Sequence, residues 1–92
     1  MSRYDWDPEK AFVNFVKHGV TFDEAETVDL DPNRRIFADP LHEAEDERFI
    51  VIGHSREARL LVVITSERGP RPRIISARRA TKRERDEYER RR

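Results

Sequence analysis

The chain has no cysteine, only three glycines and a single tryptophan in 92 residues. Without cysteine there is no disulfide framework, no thiolate metal site and no cysteine nucleophile. Gly19, Gly53 and Gly69 stand alone, so no glycine-rich loop can cradle a phosphate. No serine sits in a G-x-S-x-G elbow, which leaves a Ser-His-Asp hydrolase unsupported. His18, His42 and His54 show neither H-x-x-x-H nor E-x-x-H spacing, so neither a metal nor another cofactor is expected. No apolar run approaches the ~20 residues of a membrane span, and Met1 to Asp7 lacks the apolar core of a signal peptide. The expectation is a cytoplasmic chain with no membrane partner.

Charge is what the chain has in excess: 41% of residues are charged against 36% hydrophobic, for a formal net charge of +0. That zero conceals a split. Residues 1–47 hold 13 acids and 5 bases, whereas residues 48–92 hold 6 acids and 14 bases. Such asymmetry implies internal ion pairing, a basic face for nucleic acid, or both. The length predicts one domain over residues 1–92, with Arg90 to Arg92 as a basic tail.

The elements are punctuated clearly. Asp7 as N-cap and Pro8 at the first position predict a helix to about Lys17, stopped by Gly19. Within it Phe12, Phe15 and Val16 recur at helical spacing and are expected to face the core, while Lys10, Asn14, Lys17 and His18 form a polar row on another face. Thr21 with Glu24 spells a capping box for a short second helix that buries Phe22, Ala25 and Val28 and ends at Asp31-Pro32-Asn33. A short strand at Arg35 to Ala38 leads into an acidic loop. Arg48 to His54 and Leu60 to Thr65 then read as a central hairpin, and Arg73 to Arg79 as a returning strand with Ile74, Ile75 and Ala77 as its apolar positions. A further strand near Arg3 to Trp6 would complete the sheet. Thr81 and Glu84 cap a last helix, to about Glu89, whose one large apolar body is Tyr88. The fold class is therefore α+β: an antiparallel sheet with two N-terminal helices on one face and a C-terminal helix.

Chemistry is left to one histidine, several arginines and a few carboxylates. That inventory suits metal-free cleavage of RNA, in which a base removes the 2′-OH proton, an arginine stabilises the phosphorane charge and an acid protonates the leaving 5′ oxygen. His18 is the candidate acid or base and Arg78 the candidate phosphate clamp, each against a plain structural role at a helix terminus or in an ion pair. Glu67 and Arg68, at the end of the hairpin, are added as catalytic candidates from local chemistry. Arg73 and Arg79 flank the same strand and are candidate RNA contacts, as is Lys17. Trp6 is assigned to the core edge rather than to base stacking.

Two long patterns, Trp6-Asp7 with Lys10, Asn14 and Lys17-His18-Gly19, and Ile75-Ser76-Ala77-Arg78 with Ala80, Glu84 and Tyr88, resemble the BrnT family of toxins in type II toxin-antitoxin systems. The resemblance covers nearly the whole chain. It implies a RelE-like fold, metal-independent ribonuclease activity that blocks translation and arrests growth, and catalytic or RNA-contact roles for Lys17, His18 and Arg78. It also implies a BrnA-like antitoxin with a ribbon-helix-helix part, through which the pair reaches DNA, in a hetero-oligomer of two toxins with two antitoxins. The competing reading is a noncatalytic module that docks RNA or its antitoxin through the same arginines. Pro70 and Pro72 are the unusual feature, stiffening the turn beside Arg68.

Overall fold

The N-terminal helix forms where its caps dictate. The Asp7 carboxylate accepts from the Glu9 N–H at 2.9 Å, Pro8 fills the first position, and Gly19 closes the end at φ 71, a left-handed conformation that glycine adopts without strain. In the computed structural model, which describes residues 3–39 and 47–90, this is α1 (Pro8–His18). A short α2 (Phe22–Glu26) and a 3-10 turn (Thr27–Leu30) follow, then β1 (Arg35–Ala38), β2 (Arg48–His54), β3 (Leu60–Ser66), β4 (Arg73–Arg79) and α3 (Lys82–Arg90). The four strands form one antiparallel sheet in the order β1-β2-β3-β4, so the architecture is α+β. The expected strand near Arg3 reduces to a single parallel bridge between Asp5 and Arg73. The expected acidic loop lies mostly at residues 40–46, outside the described residues. Among the described residues no helix is long and apolar enough to cross a membrane.

The core fills one face of the sheet. Val51, Leu61, Val63, Ile74 and Ala77 meet Val20, Phe22, Ala25 and Val28, with Trp6 set edge-on to Phe22 at 5.9 Å between ring centroids. Phe22, Ala25 and Val28 are buried as their spacing predicts, because the sequence hands them to one side of a short helical segment. Gly53 permits the close approach: a Cβ there would lie 2.8 Å from a Val28 methyl and 3.0 Å from the Arg34 Cβ.

One expectation fails at α1. The stripe Phe12, Phe15 and Val16 faces solvent rather than the core, and the buried side chain of α1 is Asn14. Among the described residues β4 is an edge strand, and its Ala77 peptide has no neighbouring strand to bond on the outer side. The Asn14 amide substitutes for one: its nitrogen donates to Ala77 C=O at 2.9 Å and to Val20 C=O at 3.0 Å, while its oxygen accepts from Ala77 N–H at 3.1 Å. An unpaired edge peptide under a helix costs more than an exposed phenylalanine, so the polar row turns inward and the apolar row outward. The apolar positions of β4 divide between the two faces of the sheet. A bulge between Ile64 and Thr65 lets Ile75 and Ser76 both oppose β3 at one step, so Ile74 and Ala77, three residues apart, share the core face while Ile75 leaves it.

α3 is held more firmly than its composition implies. Tyr88 is 2% exposed, its hydroxyl donates to the Asp31 carboxylate at 2.5 Å, and its ring meets His54 edge-on. At the other end, Thr81 and Glu84 complete the capping box in both directions, at 2.8 and 3.2 Å. In α2, by contrast, Thr21 accepts from the Glu24 N–H, but the Glu24 carboxylate turns away to Arg59 and Ser55.

Candidate RNA-cleavage site

Register decides which side chains share the face of the sheet opposite the core. One row crosses all four strands as Arg35, Ile52, Val62 and Arg78, a second as Phe37, Ile50, Ile64 and Ser76, and a third as Arg48, Ser66 and Arg73. The result is an apolar floor with arginines at its margins. Arg35 and Phe37 confirm their common side, with the guanidinium 5.9 Å from the ring centroid. α3 covers one end of this face, since its Glu84 and Tyr88 reach Arg78 and His54.

At the β4 edge, α1 walls off a groove of about 420 Å³ lined by Lys10, Val13, Asn14, Lys17, His18, Ile75 and Ser76 with Asp7 and Glu9. The Asn14 bonds to Ala77 fix the helix along the strand, and Lys17 and His18 follow one turn later. Their end is pinned again from the β2–β3 turn, where Arg59 donates to Gly19 C=O at 3.2 Å and forms an ion pair with Glu24. The Arg59 hydrogen bonds, aided by Ser55, hold the Glu24 carboxyl below the usual range despite its burial. His18 is thus presented by a helix terminus whose neighbours are fixed on both sides.

Arg78 stands next to Ala77, on the open face. Its two Nη atoms each donate to Glu84 at 2.8 Å, and Nη1 also reaches Arg79 C=O at 3.2 Å. The Arg78 bonds, with the Thr81 N–H, bring Glu84 down to about 2, so it stays a carboxylate and is a poor proton acceptor at neutral pH. Its role is orientation. End-on pairing leaves the Arg78 Nε–H and one Nη2–H without an acceptor among the described residues. By the geometry of the guanidinium these two point in parallel, the arrangement that takes two oxygens of a phosphate.

The structure brings Lys17 and His18 together, with Lys10 beside them, along the strand that carries Arg78. Arg73 lies on the same face as Arg78, at the far end of β4. Arg79 points to the core side, where its charge acts on Glu24. Glu67 lines a different cavity, of about 250 Å³, with Arg3, Tyr4, Asp29 and Thr65, and Arg68 is exposed on the turn beyond it; neither lines the His18 groove. Sequence reasoning did not single out Arg35, which shares the open face with Arg78, or Ser76, which lines the His18 groove. Both sit at strand positions whose direction is set by pairing partners, and no local spacing carries that information.

A family model described as "Ribonuclease toxin, BrnT, of type II toxin-antitoxin system" matches residues 6–84. Among solved structures, the 1.1 Å crystal structure of the Brucella abortus ribonuclease toxin, BrnT, matches with a TM-score of 0.67 at 25% sequence identity, covering 89% of this chain and 100% of that one. No curated protein gives a significant sequence match.

Proposed function

Given that the chain belongs to the BrnT family of ribonuclease toxins of type II toxin-antitoxin systems, we propose that it cleaves RNA without a metal, in the groove between α1 and β4. The observation that carries the reading is a groove that gathers His18, Lys10 and Lys17 against β4, the strand that also bears the pre-oriented Arg78 on the open face. His18 takes the proton of a 2′-OH, whose oxygen attacks the adjacent phosphorus. The developing phosphorane charge falls on the open edge of Arg78 and on the ammonium groups of Lys10 and Lys17. The P–O5′ bond breaks, the 5′ oxygen takes up a proton, and the products are a 2′,3′-cyclic phosphate and a 5′-hydroxyl. Cutting messenger RNA in this way blocks translation and arrests growth, until a BrnA-like antitoxin occupies the toxin in an assembly of two and two. Glu67 and Arg68 have no step in this mechanism, and Arg79 serves the fold rather than the RNA.

Arg35 and Arg73, at opposite margins of the open face, hold the flanking phosphates, and the apolar floor between them lies under the bases. The test is incubation of purified chain with a defined RNA in excess chelator, with fragment ends mapped. Wild type leaves cyclic phosphate ends, and His18→Ala and Arg78→Ala each cut roughly 10²–10⁴-fold more slowly. Intact RNA bound in a salt-sensitive way would instead make the chain a noncatalytic binding module.

A further inference from the structure

The outward face of α1 concentrates apolar surface with no covering element among the described residues: Phe12, Val13, Phe15 and Val16 are 68%, 55%, 50% and 69% exposed. Helical spacing sets Phe15, Phe12, Val16 and Val13 side by side in one arc. Asn14, on the reverse of the helix, holds this arc away from the core through its three bonds to Ala77 and Val20. The arc is bounded by two depressions. At one border Val13 lines the groove that contains Lys17 and His18, and at the other Phe15 lines a groove of about 410 Å³ with Gly19, Thr21, Asp23 and Arg56.

We propose that the outward arc of α1 is where the antitoxin docks, laying the apolar side of an amphipathic segment across Phe12 and Val16 and closing the cleavage groove at Val13. The choice of occupant rests on the toxin reading above, whereas the docking face itself rests on the exposure of α1.

Area and position select this occupant over a second copy of the chain. The four side chains expose roughly 450 Å², the scale of a functional patch. Two copies meeting on the arc alone would bury about 900 Å², short of the ~1,200 Å² of a specific pair. A second copy would also sit across Val13 and obstruct the groove of the free toxin. An inhibitor gains from that position. Its chain can run on past Phe15 into the neighbouring groove and so add the area that two α1 helices lack.

The experiment co-expresses the chain with its cognate antitoxin and measures affinity, RNA cleavage and self-association for wild type, for Phe12→Glu with Val16→Glu, and for Ile36→Glu as a control. Ile36 is 55% exposed on β1, away from α1. The paired variant is expected to lose at least roughly a hundredfold in antitoxin affinity, and its cleavage of RNA escapes inhibition, while the control binds like wild type. In the wild-type complex the methyl signals of Val13 and Val16 become shielded from a soluble paramagnetic probe, a readout that needs no variant to fold. Unchanged affinity of the paired variant, an equal loss in the control, absence of wild-type binding, or unshielded methyls would overturn the proposal. So would a wild-type homodimer that the paired substitution disperses. If wild-type chain leaves RNA intact while the paired variant still loses the antitoxin, the catalytic reading fails and the docking face stands.

Discussion

Asn14 shows how much one side chain can decide. It is 6% exposed and satisfies three backbone groups that water cannot reach. Asn14→Ala is expected to lower stability by about 3 kcal/mol, because it leaves a strand-edge N–H and two carbonyls unpaired, and chemical denaturation measures it. Loss of alignment between α1 and β4 should also slow RNA cleavage, although Asn14 takes no part in the proposed proton transfers. His18→Ala separates the two effects. His18 is the last residue of α1 and half-buried in the groove, so its removal should leave the melting temperature within a few degrees of wild type while slowing cleavage. Gly53→Ala works the other way: steric conflict with Val28 is expected to destabilise the fold by about 1–3 kcal/mol without touching the groove.

At the scale of elements, α3 is tied down at both ends by ionised carboxylates. Its first turn is tied to β4 through Glu84 and Arg78, and its last through Tyr88 to Asp31. Burial pushes Asp31 up, but hydrogen bonds from Tyr88, from the His54 N–H and from the Asn33 N–H outweigh it and leave the carboxyl below its ordinary value. Glu84 is likewise depressed, from 4.5 to about 2. A carboxylate with a lowered folded pKa stabilises the fold above its unfolded pKa and loses that contribution as pH falls through the folded value. The window for Glu84 therefore runs from about pH 4.5 down to about pH 2. With Arg78 at 40% side-chain exposure, screening reduces the effect to about 1 kcal/mol. Glu84→Gln is expected to flatten the fall in stability across that window, as followed by denaturation at each pH. Amide exchange of α3 in wild type should quicken over the same range before the sheet opens.

For the whole molecule, the division of charge along the chain becomes a division in space only in part. Glu24 with Arg59, Asp5 with Arg71 and Arg3 with Asp29 pair off within the fold. The open face keeps Arg35, Arg73 and the free edge of Arg78 for an anionic partner. A chain of zero net charge can in this way bind a polyanion, because the field that matters is that of one face. Arg35→Gln with Arg73→Gln is expected to weaken RNA binding and to shallow the slope of log affinity against log salt by roughly 0.7 for each phosphate contact removed. An unchanged slope would place the RNA elsewhere.

What the sequence settled by itself was local: the caps at Asp7, Gly19, Thr21 and Thr81, the strands β1 to β4 within a residue or so, and the burial of Phe22, Ala25 and Val28. These are fixed by interactions within a few residues, so their signal lies in spacing. The resemblance singled out Lys17, His18 and Arg78; in the folded chain Lys17 and His18 line one groove against β4, and Arg78 stands on β4 facing Glu84. Tertiary structure alone decided which way α1 faces, since its apolar stripe is indistinguishable by period from a core stripe. The deciding group is the Ala77 peptide, 63 residues from Asn14, whose need for a partner arises only once β4 becomes an edge. Register likewise placed Arg35 and Arg78 at the two ends of one row across the sheet. Side-chain direction in a sheet is inherited from pairing between distant segments, and a one-residue bulge reverses it.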